Sequence, residues 1–361
     1  MKILIITNDF GGLYNFRKEL VEALVTEYEV TCALPDDSRK TWFNEIGCNY
    51  IETSLSRRGK NPITDFKLFM NYMKIIRQVN PDIVLTYTIK PNIYGGIVCR
   101  MLHVPYIINI TGLGTAVDSR GILHKLTVFL YRIALKKASC IFFQNGENLE
   151  FFKNKNIIAG RYKLIPGSGV NLKHFYLMDY PKDNVIEFMF IGRIIKEKGI
   201  EQYLQAAEYI KGKYPNTRFH VIGPCQRDYI DKLKKMHKKD IIIYHGKQDD
   251  VRKFHKISHC TVHPTYYPEG MSNVLLESAA CGRPIITTDR SGCREIVDDG
   301  INGYVVTQKN IKDLIEKIEK FINLSFEAKK QMGLAGRAKV EREFDRQIVV
   351  GAYLEEISNL Q

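Results

Sequence analysis

His263 to Val306 reads HPTYYPEGMSNVLLESAACGRPIITTDRSGCREIVDDGINGYVV, and its alternation of loop, helix and strand sets the fold class. A loop, Tyr266-Tyr267-Pro268-Glu269-Gly270, places a carboxylate directly before a glycine. Ser272 or Asn273 then stands where a short polar side chain satisfies the orphan amides of a helix start, and that helix runs to Ala280. Gly282 and Pro284 end it, and Pro284-Ile285-Ile286-Thr287-Thr288 follows as a short buried strand. A helix start reached through a glycine loop gathers free amides and the positive end of the macrodipole, which suits an anion. Glu269 and Glu277 lie eight residues apart, before and inside that helix. Singly, they read as a solvated loop acid and a helix-surface acid.

The same rhythm extends in both directions. Strand and helix patterns alternate from Lys2–Thr7 to Ser139–Gln144, including an apolar helical pattern over Ile63–Val79 that sets Phe66, Phe69, Met70, Met73, Ile75 and Ile76 on roughly one face. Glycine and proline accumulate at Leu164-Ile165-Pro166-Gly167-Ser168-Gly169, and the rhythm restarts at Val185. Such alternation implies parallel sheets with helices on both faces, here as two doubly wound domains in tandem. Ligands of such sheets bind beyond the carboxyl ends of the strands, so the loops after Thr7, Tyr87, Ile110, Ile191, Ile222 and His263 are the candidates.

Bulk properties narrow the class. With 361 residues, 45% hydrophobic and 26% charged, the chain has globular composition and room for two cores. No apolar run approaches the ~20 residues of a membrane span, and Met1–Ile6 is too short for a signal peptide, so a cytoplasmic protein is expected. The 8 cysteines form no CxxC pair and the 9 histidines no HxxxH spacing, so neither a metal nor another cofactor is expected. A net charge of +13 calls for an anionic partner: nucleic acid, lipid or phosphorylated small molecule.

Two strand-end loops carry chemistry. Asp9-Phe10-Gly11-Gly12-Leu13 reads as a glycine turn that lets backbone approach a diphosphate, with Arg17 one turn further on. Gly192-Arg193-Ile194-Ile195-Lys196-Glu197-Lys198-Gly199 offers a guanidinium for bidentate phosphate contact and an ammonium as a point charge. Both suit a leaving nucleoside diphosphate, on which negative charge grows as its bond breaks.

Gly192-Arg193 with Lys198-Gly199, Pro268-Glu269-Gly270 with Glu277, Gly282-Arg283-Pro284-Ile285-Ile286, and Asp299-Gly300-Ile301-Asn302-Gly303 together resemble glycosyltransferase family 4. That resemblance implies an α/β GT-B fold, with two Rossmann-like domains facing across a cleft. Residues 1–168 would bind acceptor, 169–344 would bind nucleotide sugar, and a helix in 345–361 would pack back on the first domain. It implies a retaining transferase in which Arg193 and Lys198 hold the donor diphosphate beside Gly192, and Glu277 bonds the ribose hydroxyls. Glu269 would bind sugar hydroxyls with the amides of Gly270, Met271, Ser272 and Asn273, while Gly11 and Gly12 close on the diphosphate. Many relatives place a histidine after the strand matching Tyr106–Ile110; here Thr111-Gly112-Leu113-Gly114 follows, so no histidine role carries across.

The first half is similar to a narrower branch, bacterial transferases that extend undecaprenyl-diphosphate-linked sugars in capsule or O-antigen assembly. Asn15-Phe16-Arg17, Ser56-Arg57-Arg58, Thr88-Ile89-Lys90-Pro91-Asn92 and Thr111-Gly112 carry that likeness. It implies a UDP-sugar donor and a lipid-diphosphate-linked saccharide acceptor, with Arg17, Arg57, Arg58, Lys90 and Thr111 toward the acceptor. Two basic, apolar-rich stretches, 56–77 and 120–137, read as core-facing helices with solvated ends or as a patch on anionic lipid. The second reading would place the enzyme peripherally on the inner face of the plasma membrane. Two rivals remain: a UDP-sugar epimerase, and a basic nucleic-acid-binding protein, against which stands the lack of any RNP, zinc-finger or helix-turn-helix signature.

Overall fold

Ile3, Leu4, Ile5 and Ile6 have no exposed surface, and a strand sealed on both faces belongs at the middle of a sheet. In the computed structural model, which describes residues 1–53, 62–112, 121–182 and 184–360, that strand is β1 (Lys2–Ile6). It pairs in parallel with β2 (Glu29–Leu34) on one side and β4 (Ile83–Tyr87) on the other. The seven-stranded sheet has the order β3-β2-β1-β4-β5-β6-β7, with β3 at Asn49–Glu52, β5 at Tyr106–Ile110, β6 at Cys140–Phe143 and β7 at Tyr162–Leu164.

Alternation along β1 sorts its side chains into two cores. Ile3 and Ile5 pack with Leu13, Val21 and Leu24 of helix α1 (Phe10–Val25) and with Trp42 and Phe43 of the short helix α2 (Thr41–Glu45). Leu4 and Ile6 face the opposite layer of α3 (Pro62–Val79), α4 (Gly96–Leu102), α5 (Ile122–Leu135) and α6 (Gly146–Asn154). A π-turn at Pro91–Gly95 runs directly into α4. The face of α3 differs from the expected stripe. Leu68, Tyr72, Ile75 and Ile76 are its buried residues, while Phe66 and Met70 are exposed, because the 3.6-residue period puts 66 and 70 opposite 68, 72 and 75.

The second sheet has the order β10-β9-β8-β11-β12-β13, again parallel throughout its described pairs. Its strands are β8 (Ile186–Ile191), β9 (Thr217–Ile222), β10 (Ile243–Tyr244), β11 (Cys260–His263), β12 (Ile285–Thr288) and β13 (Gly303–Val306). Helices α7 (Ile200–Lys213), α8 (Arg227–Lys238), α9 (Arg252–Ile257), α10 (Asn273–Ala280), α11 (Ile311–Ile322) and α12 (Phe326–Glu343) surround it. Phe188 and Phe190 pack with Tyr203, Leu204, Leu314 and Phe321 on one face; Met189 and Ile191 pack with Ile222 and Phe254 on the other.

Contacts divide the chain into one unit of residues 1–169, 268–271 and 346–361 and another of 170–267 and 272–345. The closing helix α13 (Arg346–Ser358) belongs to the first: Arg346 pairs with Glu19 at 2.7 Å, and the ring of Tyr353 meets Phe142 edge-on at 4.5 Å. Pro268–Met271, which the sequence boundaries set in the nucleotide-sugar domain, is grouped with the first unit. Helices α2 and α6 and strands β7 and β13 are additions to the sequence pattern. The edge strand β7 leaves Tyr162 and Leu164 exposed, so it lacks the apolar pattern that marks the inner strands.

Candidate functional site

In the second unit, Ile191 ends β8 and the next residue, Gly192, takes φ +150°. Gly223 closes β9 at φ +141°, and a Cβ there would lie 1.9 Å from the Gly192 carbonyl oxygen, so no other residue fits. Lys196–Lys198 then makes one 3-10 turn that ends in Gly199 at φ +78°, where a Cβ would lie 2.0 Å from the Pro264 carbonyl oxygen. The Glu197 carbonyl accepts from the Tyr266 amide at 2.9 Å and the Thr265 hydroxyl at 3.3 Å. Backbone therefore locks the loops after β8 and β11 together at the carboxyl end of the sheet.

This lock brings the two expected phosphate cations to one place. The Arg193 guanidinium lies 5.1 Å and the Lys198 ammonium 5.2 Å from the ring centre of Tyr267. Two cations within reach of one aromatic ring make this a basic corner that suits a diphosphate. Tyr267 is a site residue that the sequence reading quoted but did not single out; its signal is an aromatic on the loop facing a basic loop.

Ser272 occupies the cap position of α10, but its hydroxyl makes no capping bond, contrary to expectation. Its amide instead donates to the Gly292 carbonyl at 2.7 Å, and Glu295 accepts from the Gly292 amide at 2.7 Å and the Ser291 hydroxyl at 2.8 Å. Ser291-Gly292 and Glu295 thus fasten the start of α10. Asn273 and Glu277 stand half-buried on that helix, one at its start and one a turn further on.

In the first unit, Asn145 explains where Pro268–Met271 goes. Its Nδ2 donates to the Glu269 carbonyl at 3.0 Å and the Gly270 carbonyl at 2.5 Å, while its Oδ1 accepts the Asn148 amide at 2.8 Å and caps α6. A Cβ on Gly270 would lie 2.3 Å from Gln144 Oε1 and 2.5 Å from the Thr111 carbonyl oxygen. This glycine is required by packing against the strand ends, and Thr111 contributes through its backbone. The buried network continues from Gln144 Nε2 to Asn109 Oδ1 at 3.2 Å, and from Asn109 Nδ2 to the Tyr353 hydroxyl at 2.6 Å.

The other cations of the first unit are less open than the sequence suggests. Arg17 is 4% exposed, its guanidinium turned inward over Tyr87 at 5.4 Å and donating to the Phe16 carbonyl at 2.9 Å. Burial raises the Tyr87 and Tyr353 phenols, and the Arg17 cation pulls them down without prevailing, so both stay neutral. Lys90 pairs with Asp65 at 2.8 Å, and Asp65 also accepts from Tyr94 at 2.9 Å. Arg57 and Arg58 lie outside the described residues.

Gly11 and Gly12 form no turn before a helix; they sit in the first turn of α1, which begins at Phe10, and neither has positive φ. A Cβ on Gly12 would stand 3.0 Å from Asp9 Oδ2. Arg39, from the loop after β2, reaches the same corner: its guanidinium covers the Phe10 ring at 4.8 Å and pairs with Asp37 at 2.9 Å. No glycine frames Arg39 in the loop after β2, so nothing in the sequence marks it. Among the described residues no three His, Cys, Asp or Glu converge as for a metal ion.

Residues 2–145 match the family model for glycosyl transferase 4-like proteins, and residues 179–339 match that for glycosyl transferases group 1. The N,N'-diacetylbacillosaminyl-diphospho-undecaprenol alpha-1,3-N-acetylgalactosaminyltransferase of Campylobacter jejuni is 25% identical, over 98% of this chain and 97% of its own. The UDP-Gal:alpha-D-GlcNAc-diphosphoundecaprenol alpha-1,3-galactosyltransferase of Escherichia coli is 23% identical, over 78% and 75%. Among solved structures, Anabaena HepE in complex with UDP and glucose aligns with a TM-score of 0.82 at 17% identity, covering 99% of this chain and 100% of that one. Two parallel sheets of this topology, strand-end loops of this make-up and glycosyltransferase models matching each half lead to one family: the chain belongs to glycosyltransferase family 4, as an enzyme of the GT-B fold.

Proposed function

We propose that this glycosyltransferase moves a hexose or an N-acetylhexosamine from a UDP-sugar to a lipid-diphosphate-linked saccharide, with retention of anomeric configuration, in the assembly of a bacterial surface polysaccharide. The observation that carries the donor half is the convergence of Arg193 and Lys198 over Tyr267, at the carboxyl end of the second sheet. The acceptor half is supported by the two relatives above, both named for diphospho-undecaprenol substrates.

In this reading the anomeric carbon–phosphate oxygen bond breaks as the acceptor hydroxyl forms its new bond on the same face. The acceptor's proton passes to the departing phosphate oxygen. Arg193 and Lys198 meet the charge that grows on the diphosphate, and Glu277 bonds the ribose hydroxyls. Glu269 bonds the sugar, with the amides of Gly270, Met271, Ser272 and Asn273 beside it. Asn145 acts as a positioning residue by holding the Glu269 and Gly270 carbonyls. Glu269 and Glu277 serve separate parts of the donor and make no glycosidase pair. No step is assigned to a metal.

The test is a panel of UDP- and GDP-sugars scored by thermal shift, then by transfer to a lipid-diphosphate saccharide, with the product's anomeric coupling read by NMR. A UDP-sugar should raise the melting temperature and give the retained anomer. Stabilisation by GDP-sugars alone, or an inverted product, would sink the donor or the retention half respectively.

A further inference from the structure

Strand β5 reads Tyr106-Ile107-Ile108-Asn109-Ile110, and its one amide side chain is as deeply buried as its neighbours. An aliphatic side chain at 109 would pack there with no polar group to satisfy, whereas an amide costs stability unless both of its ends are bonded. Both ends are bonded here. Asn109 Nδ2 donates to the Tyr353 hydroxyl at 2.6 Å, and Asn109 Oδ1 accepts from Gln144 Nε2 at 3.2 Å. None of the three residues is more than 4% exposed.

This line of side chains ends against backbone. Gln144 Oε1 lies 2.3 Å from where a Cβ of Gly270 would stand, so the oxygen rests directly on that glycine. The next residue, Asn145, holds the Glu269 and Gly270 carbonyls. Gly112 and Gly167 enclose the same loop. A Cβ on the first would stand 3.3 Å from the Gly270 amide nitrogen, and one on the second 2.4 Å from the Met271 Cβ. Packing this close leaves the loop no slack to absorb a shift of Gln144. Asn109 decides which end of the Gln144 amide meets Gly270, because the NH2 that donates to Asn109 leaves the oxygen toward the glycine. The Tyr353 hydroxyl orients Asn109 in turn.

The far end of the line is fixed. Helix α13 is pinned at both ends by ion pairs with a buried member: Arg346 with Glu19 at 2.7 Å, and Glu356 with Lys163 at 2.7 Å and Arg161 at 3.1 Å. Between these pins the Tyr353 ring meets Phe142 edge-on and lies 6.1 Å from the ring of Tyr87. A hydroxyl on a helix held at both ends is a rigid reference for a loop remote in sequence.

We propose that Tyr353 is a positioning residue for the Glu269–Gly270 loop, acting through Asn109 and Gln144. The closing helix thereby sets the loop as well as covering the first core. The link itself stands on these contacts; its use, aiming Glu269 at the donor sugar, rests on the function proposed above.

The experiment compares the full chain as parent, Tyr353→Phe, Gln144→Met, their double variant and Glu269→Ala. Tyr353→Phe removes one oxygen and keeps the ring, and Gln144→Met keeps the side-chain length at the other end of the line. Either carries the exchange test alone if the other does not fold. Hydrogen–deuterium exchange reads the amides of Glu269, Gly270 and Met271 well below the melting temperature, and steady-state transfer gives kcat and the donor KM. Exchange of those amides should quicken about tenfold in each single variant, the scale of one lost buried hydrogen bond. Each should lower kcat about fivefold with the donor KM within about twofold of the parent, because Arg193 and Lys198 lie outside the network. The double variant should be no slower than either single one, since a line already broken loses nothing more at its other end.

Exchange at the loop that matches the parent, even with a lower melting temperature, overturns the proposal and leaves Tyr353 a packing residue. Losses of kcat that multiply in the double variant overturn it as well. So does faster exchange with parental kcat where Glu269→Ala is slow. Faster exchange in the single variants with Glu269→Ala at parental turnover upholds the link and overturns the donor-sugar reading of Glu269 instead.

Discussion

The two sheets share one architecture and keep their site residues in place by different means. In the second unit backbone touches backbone: Gly223 against Gly192, and Gly199 against Pro264. Close approach excludes a Cβ, so the arrangement leaves glycines in the sequence at fixed distance from Arg193 and Lys198. In the first unit, side chains from remote segments do the work. Asn145 reaches a loop 124 residues away, and Asn109 reaches Tyr353 across 244. A backbone lock writes a motif, whereas a side-chain network writes only single residues that look ordinary until the chain is folded.

The contrast can be broken first at the proposed donor contacts. Lys198→Ala and Glu269→Ala should each lower turnover by about 100-fold, the scale of a lost transition-state charge contact. Single-turnover transfer at saturating donor measures it, and near-normal rates in both variants would remove the donor assignment. A smaller effect should come from the side-chain network. Asn145→Asp keeps an acceptor for the Asn148 amide and so keeps the α6 cap, but it cannot donate to the Glu269 and Gly270 carbonyls. Transfer should fall about tenfold, some 1.4 kcal/mol, and the carboxylate left buried against two carbonyl oxygens should lower the melting temperature as well. A loss of stability without loss of rate would make Asn145 a cap and nothing more.

Tyr267→Leu should be milder. Removing a ring worth roughly 0.5–1 kcal/mol to each cation leaves the charges in place, so the donor KM should rise about three- to fivefold with kcat nearly constant. Gentlest of all is the pH dependence of the second unit. Burial, with the Arg283 cation beside it, lowers His255 to about 3, and burial with neighbouring His220 lowers His245 to about 4. Both are neutral when folded and take up protons near pH ~6.5 when unfolded. Their stability contribution is therefore whole above that pH and is lost as pH falls toward 4. Melting temperatures between pH 7 and 4 should show the decline, and His245→Gln should flatten it.

Some of these features are legible in the sequence and others are not, for the same physical reason. Strands β1 and β6 were legible because buried parallel strands read as near-continuous apolar runs. The loop that carries Arg193 and Lys198 was legible because glycines frame it. Arg17 was misread as open: its place on α1 was right, but rotation about the helix turns it under the surface and over Tyr87. Phe66 and Met70 were counted on the stripe with Ile76, since apolar character on both sides of α3 blurs the period that would separate them.

Local rules that act within a few residues were enough to determine the parallel strands, the two tandem units and the glycine loops after β8 and β11. Hydrophobic period and the steric demand of glycine do not wait for distant partners. Tertiary structure alone decided that Tyr267 lies under both cations, that Asn145 holds the Glu269 loop, and that Phe66 and Phe129 face outward. Each depends on which surface a side chain meets after the sheets have closed, and no pattern along the chain carries that information.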